Sequence, residues 1–273
     1  MTGAARAIPA LAVAPGGREK VARDLAEEAA VALSYDGTTQ AVMMASPADL
    51  EEFALGFSLS EGIVARPDEI ERLERVDHDG GIELRMWLAA GAGARLAARR
   101  RAMAGPVGCG LCGVDSLEAA LRPLPSLPTG GPRLPAAAIA RAMAALAAGQ
   151  RLHAETRAAH AAGFFTAAEG LVALREDIGR HNALDKLVGA LARAGRTARG
   201  GVLTITSRVS VDIVQKAVLA GAPVLAAVSA PTAAAVELAA DSGLTLIARA
   251  RGDAFEIYTH PERIDLTETE NVA

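Results

Sequence analysis

The sequence predicts an α/β protein whose carboxyl-terminal part is built on a mainly parallel sheet. Four apolar segments in that part have the length of strands, at about 171–175, 202–206, 224–228 and 244–248. Helical segments that begin near 181, 210 and 232 separate them. Strands that alternate with helices are typical of a parallel sheet, because a helix usually makes the crossover between parallel strands. The first part of the chain lacks this alternation and predicts a smaller α+β domain.

Turn and capping signals define the elements of the smaller domain. Residues 29–45 predict a β-hairpin, since Asp36 and Gly37 tolerate positive φ and separate two apolar runs. A helix is expected directly afterwards, with Ser46 as its N-cap. Residues 82–88 alternate between apolar and polar side chains, as a half-buried strand does.

A stretch rich in proline and glycine, residues 122–135, separates the two parts and predicts no regular structure. The smaller domain is therefore expected over residues 1–125 and the α/β domain over residues 126–273. A chain of 273 residues suits one or two domains of ordinary size.

Composition excludes several classes of protein. Hydrophobic residues make up 51% of the chain and charged residues 22%, which is typical of a globular protein. The net charge of −4 argues against electrostatic binding to nucleic acid. Residues 217–236 carry no charge, but Pro223 and Pro231 interrupt them, so no membrane span is expected. We expect a cytoplasmic protein with neither a nucleic-acid nor a membrane partner.

Polar residues follow each of the four predicted strands. They occupy the segments 175–181, 206–208, 229–232 and 249–252. The carboxyl ends of parallel strands meet at one edge of a sheet, where helix amino termini also present free N–H groups to anions. Ordinary helix capping is the alternative, in which Ser210 and Thr232 need no ligand. Because three of the four segments contain arginine, we expect an anionic ligand at this edge.

The two cysteines, Cys109 and Cys112, lie in a glycine-rich loop with the sequence CGLC. Two thiols cannot form a disulfide framework, so they indicate chemistry in a reducing compartment. A redox dithiol, half of a zinc site and a sulfur carrier are three interpretations of the motif. His153 and Glu155 form the H-x-E of zinc deaminases, but they follow the cysteines, which reverses the order of the deaminase signature. We expect no bound metal.

Lysine is rare in this chain. The 28 basic residues include only Lys20, Lys186 and Lys216. Such a lysine indicates a need for a compact, rotatable cation, or else it lies on a solvated helix face. His160 and His181 are similarly open to a structural or a functional explanation, and charge beside His181 at a helix start favours function there.

The longest motif resembles a known family. Residues 175–186 read REDIGRHNALDK, with GCGLCG before them at 108–113 and SAPT after them at 229–232. Together they resemble the formate dehydrogenase accessory sulfur-carrier family (FdhD), over nearly the whole chain. The resemblance implies a homodimeric sulfurtransferase that accepts sulfur from a cysteine desulfurase as a persulfide. It implies that the sulfur passes to the molybdenum cofactor of formate dehydrogenase, and that the larger domain is similar to the cytidine deaminase fold without its zinc chemistry.

The resemblance also implies roles for particular residues. The persulfide falls on Cys109 and its conjugate thiol on Cys112. The cofactor-contacting stretch falls on Arg249, Ala250, Arg251, Gly252, Asp253 and Ala254. The polar edge adds five candidate contacts, which are Arg180, His181, Arg208, Ser229 and Thr232. The bound substrate implied is molybdenum bis(molybdopterin guanine dinucleotide), for which a GDP-like guanine nucleotide is an analogue.

Three positions depart from the family pattern near the expected nucleotide edge. Arg157 and Ser207 stand where the family tends to have glycine, and Arg249 stands where it tends to have an aromatic residue. These departures bear on the nucleotide contacts and leave the sulfur chemistry untouched. A function of another class is the alternative: a chaperone that binds a guanine nucleotide or the molybdenum cofactor and delivers it without sulfur chemistry.

Overall fold

The computed structural model describes residues 3–101, 123–128 and 133–267. Its first part contains six strands and two α-helices within the described residues. They are β1 (Ala5–Ala14), β2 (Gly17–Ala26), β3 (Ala29–Tyr35), β4 (Thr38–Ala45), α1 (Leu50–Ser60), β5 (Ile70–His78), β6 (Gly81–Leu88) and α2 (Ala92–Arg101). Strands β1 and β2 form a separate antiparallel ribbon, and the other four form a sheet in the order β4-β3-β6-β5.

The predicted hairpin and the alternating strand are confirmed. Asp36 and Gly37 adopt φ angles of 47° and 79° in the turn between β3 and β4, as a tight hairpin turn requires. Strand β6 covers the predicted residues 82–88 and pairs parallel with β3. The alternate side chains of β3 are buried against Phe53 and Phe57 of α1, which form the core of this part.

The expected N-cap of α1 is wrong. The helix begins at Leu50 after Asp49, which has a left-handed φ of 55° and makes no side-chain cap. Ser46 is instead fully buried, and its N–H donates to Asp177 Oδ2 at 3.0 Å. Its hydroxyl accepts a hydrogen bond from the N–H of Ile178 at 3.2 Å. Ser46 therefore joins the two parts of the chain instead of starting a helix.

The second part is an α/β unit. Its elements are β7 (Leu134–Pro135), α3 (Ala136–Gly149), α4 (Arg151–Thr156), β8 (His160–Thr166), β9 (Gly170–Asp177), α5 (Arg180–Arg193), β10 (Val202–Ile205), α6 (Val211–Leu219), β11 (Val224–Ala227), α7 (Ala233–Asp241), β12 (Thr245–Arg251), β13 (Ala254–Ile257) and β14 (Ile264–Asp265). Six of these strands form one sheet in the order β13-β12-β11-β10-β8-β9.

The four predicted strands of this sheet all run in the same direction. Strands β10, β11 and β12 are parallel neighbours. Strand β8 is antiparallel to both β10 and β9, so β9 runs with β10. The predicted α/β class is therefore confirmed, with two antiparallel strands, β8 and β13, that the sequence pattern did not reveal. Helices α5, α6 and α7 cover one face of the sheet, and α3 covers the other.

Helices α1 and α5 join the two parts at very short range. A Cβ atom on Gly56 would lie 1.7 Å from the carbonyl oxygen of Asp185, and one on Gly189 would lie 1.9 Å from that of Glu52. Only glycine permits this approach of two backbones.

The predicted linker is only partly irregular. Residues 123–128 form neither helix nor strand, whereas Leu134 and Pro135 form β7, which pairs with β14. The domain boundary between residues 125 and 126 stays a prediction. The uncharged run 217–236 is divided among the end of α6, β11 and the start of α7. Within the described ranges, no helix is long and apolar enough to cross a membrane.

Candidate functional site

The candidate site lies at the edge of the large sheet where β9, β10, β11 and β12 end. Helices α5, α6 and α7 begin at the same edge, because each follows one of these strands. The first turn of each helix leaves N–H groups unpaired and carries the positive end of the helix dipole. Three helix amino termini therefore make this edge electropositive before any side chain is counted.

Backbone hydrogen bonds hold the loops of this edge together. The N–H of Val209 donates to Ala230 O at 3.2 Å, and the N–H of Thr232 donates to Val209 O at 3.0 Å. The N–H of Arg249 donates to Ser229 O at 3.2 Å. The loops that follow β10 and β11 and the end of β12 are thus joined by backbone hydrogen bonds into one continuous layer.

His160 adds an imidazole to this edge, because β8 runs in the opposite direction and begins here. Its Nδ1 lies 3.3 Å from the hydroxyl of Thr206, which also accepts the N–H of Ala161 at 3.0 Å. Burial lowers the pKa of His160, and the positive charge of Arg180 lowers it further. The imidazole is therefore neutral near pH 7.

His181 is a second neutral imidazole in the first turn of α5. Burial, with smaller effects from Lys216 and Arg180, lowers its pKa from 6.5 to about 3. Its Nε2 lies 3.5 Å from Asp212 Oδ2, yet the geometry does not make a hydrogen bond. A neutral imidazole with an unused polar atom is suited to donate to a ligand or accept from it.

Three buried polar atoms at this edge have no hydrogen-bond partner among the described residues. They are Arg180 Nε, His181 Nε2 and Ser210 Oγ. Ser210 stands at the N-cap of α6, but its side chain makes no cap hydrogen bond, so its expected role as an ordinary cap is wrong. Buried polar groups are almost always paired, so three unpartnered atoms at two neighbouring helix starts make this edge the candidate binding site.

The residues 249–254 form the tip of the hairpin between β12 and β13. Arg249, Arg251 and Asp253 are exposed there, whereas the side chain of Ala250 is buried in the core. Arg208, which follows β10, is also exposed. These arginines thus lie at the surface of the carboxyl edge.

Ordinary helix capping, the alternative to ligand binding, explains one of the predicted contact residues, Thr232. Thr232 Oγ1 accepts the N–H of Ala235 at 3.3 Å, so this hydroxyl caps α7 without a ligand. Ser229 is half-buried, and its carbonyl oxygen accepts a hydrogen bond from the backbone N–H of Arg249.

Two departures from the family pattern fall where the backbone is left-handed. Arg157 has a φ of 59° at the end of α4, and Arg249 has a φ of 52° at an irregularity in β12. A left-handed φ favours glycine, so the glycine expected at position 157 has a conformational reason. Ser207, the third departure, is buried, and its hydroxyl donates to Arg208 O at 2.9 Å.

Lys186 and Lys216 are buried in ion pairs and do not lie on a solvated face. Lys186 Nζ lies 2.6 Å from Asp177 Oδ2 with both side chains fully buried. Lys216 Nζ lies 2.8 Å from Asp185 Oδ1 and 2.8 Å from Glu61 Oε1. The two ion pairs stabilise the junction behind the site. Rarity of lysine singled out the two cations, but nothing in the sequence pointed to their distant carboxylate partners.

Cys109 and Cys112 lie outside the described residues, so their roles stay predictions. Within residues 3–101, 123–128 and 133–267, no group of three His, Cys, Asp or Glu side chains is placed to hold a metal ion. The absence of zinc likewise stays a prediction.

Comparison with known proteins assigns the family. The model of the FdhD/NarQ family matches residues 26–265. A relative from Brucella abortus biovar 1 (strain 9-941), named "Sulfur carrier protein FdhD", is 56% identical over 248 residues, which are 91% of this chain and 92% of the relative. The chain belongs to the FdhD/NarQ family. The resemblance carried by the motif at 175–186 is therefore confirmed.

Two further comparisons support membership of the FdhD/NarQ family and its fold. A relative of the same name from Agrobacterium fabrum (strain C58 / ATCC 33970) is 52% identical over 244 residues, which are 89% of this chain and 90% of the relative. The crystal structure of a candidate formate dehydrogenase accessory protein from Desulfotalea psychrophila superposes with a TM-score of 0.77 at 24% identity. The match covers 96% of this chain and 100% of that chain, and it shows a shared fold.

Proposed function

We propose that this FdhD/NarQ chain is a sulfur carrier. Cys109 accepts sulfur from a cysteine desulfurase as a persulfide and passes it to the molybdenum cofactor that formate dehydrogenase needs. The relatives' name "Sulfur carrier protein FdhD" and the CGLC motif support the sulfur chemistry. The unpartnered atoms of Arg180, His181 and Ser210 support the binding of a large anionic substrate at the carboxyl edge.

Sulfur uptake is a thiol exchange. The Cys109 thiolate attacks the terminal sulfur of the persulfide on the desulfurase. A new S–S bond forms on Cys109, the S–S bond on the desulfurase breaks, and the desulfurase cysteine leaves as a thiolate. This exchange needs no external oxidant or reductant, because the transferred sulfur keeps its oxidation state.

Delivery uses the second thiol. The Cys112 thiolate attacks the inner sulfur of the Cys109 persulfide, which yields a Cys109–Cys112 disulfide and hydrosulfide. The two cysteines are oxidised, and the transferred sulfur is reduced and taken up by the molybdenum of the bound substrate. A cellular dithiol then reduces the disulfide and restores both thiols.

The substrate of this transfer is the molybdenum bis(molybdopterin guanine dinucleotide) cofactor. Its phosphates suit the starts of α5 and α6, where Arg180 and the free N–H groups of the helices can donate to them. Arg208, Arg249 and Arg251 are exposed at the same edge, which supports contacts of their guanidinium groups with its outer phosphates. An acidic protein can hold such an anion because these positive groups are local.

We also infer that the carrier works as a homodimer. The ribbon of β1 and β2 packs on the rest of the chain at its base, beside Leu152 and Ala159. It presents Leu11, Val13 and Leu25 to solvent, and a two-stranded ribbon is only marginally stable by itself in water. A second copy of this chain is the partner inferred for it. Sedimentation equilibrium of the full chain gives the oligomeric mass that checks this inference.

Activation of formate dehydrogenase in a host that lacks its own carrier tests the function. Cys109→Ala is expected to abolish activation, and Cys112→Ala to impair it to an equal or lesser degree. Full activation by the double cysteine variant would contradict the proposed sulfur carrier. It would favour the alternative, a chaperone that delivers its ligand without sulfur chemistry.

A further inference from the structure

A cavity of about 470 Å³ lies at the opposite edge of the large sheet, where β10 and β11 begin. Its walls are mainly apolar and include Leu127, Leu134, Val218, Leu219 and Val224. A volume in this range is typical of sites for small organic ligands. The residues at this edge take no part in the proposed sulfur transfer.

The charged groups that line this cavity are both arginines, within the part of the chain that the structure describes. Arg199 is exposed at the rim, and Arg263 is 9% exposed. Arg263 Nη1 donates to Gly243 O at 2.6 Å and to Thr245 Oγ1 at 3.0 Å. Its Nη2 donates to the carbonyl oxygen of Pro128.

The hydrogen-bond partners of Arg263 do not neutralise its charge. All three acceptors are neutral oxygens, and no carboxylate lies within ion-pair distance among the described residues. Glu262, its neighbour in the chain, is exposed and lies 3.2 Å from His260. Burial lowers the pKa of Arg263, which reflects the cost of holding this cation away from water, and the charge of Glu262 offsets only part of that effect. A guanidinium carries five N–H donors, so Arg263 has donors left for a further acceptor.

We propose that this cavity binds a small organic carboxylate, whose charged group pairs with Arg263 and whose apolar body contacts Leu134, Val218 and Leu219. A planar guanidinium matches a carboxylate in shape and binds it through charge-assisted hydrogen bonds. Arg199, which is exposed, adds a second positive charge to the lining of the cavity. The site is separate from the carboxyl edge, so its failure leaves the sulfur carrier intact.

Calorimetric titration of the full chain with octanoate, and with 1-octanol as the uncharged analogue, tests this site. We expect saturable binding of one octanoate per chain, and binding of octanol that is about tenfold weaker or more. Arg263→Gln is expected to weaken octanoate binding by about tenfold or more and to leave octanol binding unchanged. Leu219→Trp, which fills the cavity, is expected to abolish the binding of both.

Matched variants keep the test decisive. Arg196→Gln removes an exposed arginine that pairs with Glu169, and octanoate should bind this variant like the parent. If circular dichroism shows that Arg263→Gln does not fold, Leu219→Trp decides the question in its place, because this variant should bind neither octanoate nor octanol. Three results would each overturn the proposal: octanoate binding to the parent that does not saturate, octanoate binding no tighter than that of octanol, or unchanged octanoate binding in Leu219→Trp.

Discussion

Lys186 Nζ lies 2.6 Å from Asp177 Oδ2, and both side chains are completely buried. The same ammonium donates to the carbonyl oxygen of Ser46 at 2.9 Å, and Asp177 accepts the N–H of Ser46 at 3.0 Å. Asp177 also accepts the N–H of Gly179, the N-cap residue of α5, at 2.7 Å. One ion pair therefore fixes both the junction between the two parts and the start of the helix that presents Arg180 and His181.

Removal of Lys186 should be strongly destabilising. Lys186→Met leaves the Asp177 carboxylate buried without its cation, and we expect the free energy of unfolding to fall by about 3 to 5 kcal/mol. Arg193→Gln is the matched control, because Arg193 lies on the same helix, α5, and pairs with Glu51 of α1 at the surface. The control should lose about 1 kcal/mol or less in urea denaturation. Equal losses in the two variants would contradict the role assigned to the buried pair.

The contact between α1 and α5 should not tolerate a methyl group. In Gly189→Ala the new Cβ would lie 1.9 Å from Glu52 O, so the helices must separate, and we expect a loss of about 1 to 3 kcal/mol or more. Gly93→Ala is the control, since a Cβ there has no heavy atom within 4 Å. The control should be neutral or gain up to about 1 kcal/mol, because alanine is the better helix former. Thermal unfolding of both variants compares the two positions.

His181 should make stability depend on pH. The imidazole takes up a proton near pH 6.5 in the unfolded chain but only near pH 3 in the folded protein. Its stabilising contribution is therefore complete above about pH 6.5 and is lost as the pH falls toward 3. His181→Gln removes this loss, so its free energy of unfolding should fall less steeply with acid, by up to about 1.4 kcal/mol per pH unit. Parallel pH profiles of parent and variant would show that this imidazole is not buried as a neutral group.

Exposed arginines at the carboxyl edge should govern nucleotide affinity. A guanidinium that contacts phosphate stabilises the complex by about 1.5 to 3 kcal/mol, so Arg208→Ala or Arg251→Ala should weaken GDP binding at least about tenfold. Stability should change little, because both side chains are exposed. Arg75→Ala, which removes an exposed arginine of the smaller sheet, should bind GDP like the parent. Parental affinity in both edge variants, or no GDP binding at all, would refute the predicted edge contacts.

Local signals predicted the strands that have strong apolar runs. Strands β9 to β12 emerged in this way, and so did the turn at Asp36. Strand β8 was not predicted because alanine and glycine, which have little strand preference, occupy the first half of its sequence, HAAGFFT. Its centre is also buried on both faces, so it lacks the alternation of a half-buried strand. Strand β1 was not predicted either, since alanine dominates a ribbon that packs little of its surface.

Long-range partners account for what the sequence did not reveal about the site. Ser46 has the signature of a helix cap, yet its partner Asp177 lies 131 positions away, and only the tertiary structure brings the two together. His181 and Arg180 could be placed at the carboxyl edge because the alternation of strands with helices, and the helix starts, are visible in the local sequence. Their unpartnered atoms depend on the packing of α5 against α6, which no local pattern encodes.

Intact-mass spectrometry after incubation with a cysteine desulfurase and free cysteine tests the sulfur carrier most directly. We expect the parent chain to gain the mass of one sulfur atom, to lose it on treatment with a thiol reductant, and Cys109→Ala to gain none. A parent chain that gains no sulfur, or a Cys109→Ala variant that gains as much as the parent, would contradict the proposed persulfide on Cys109.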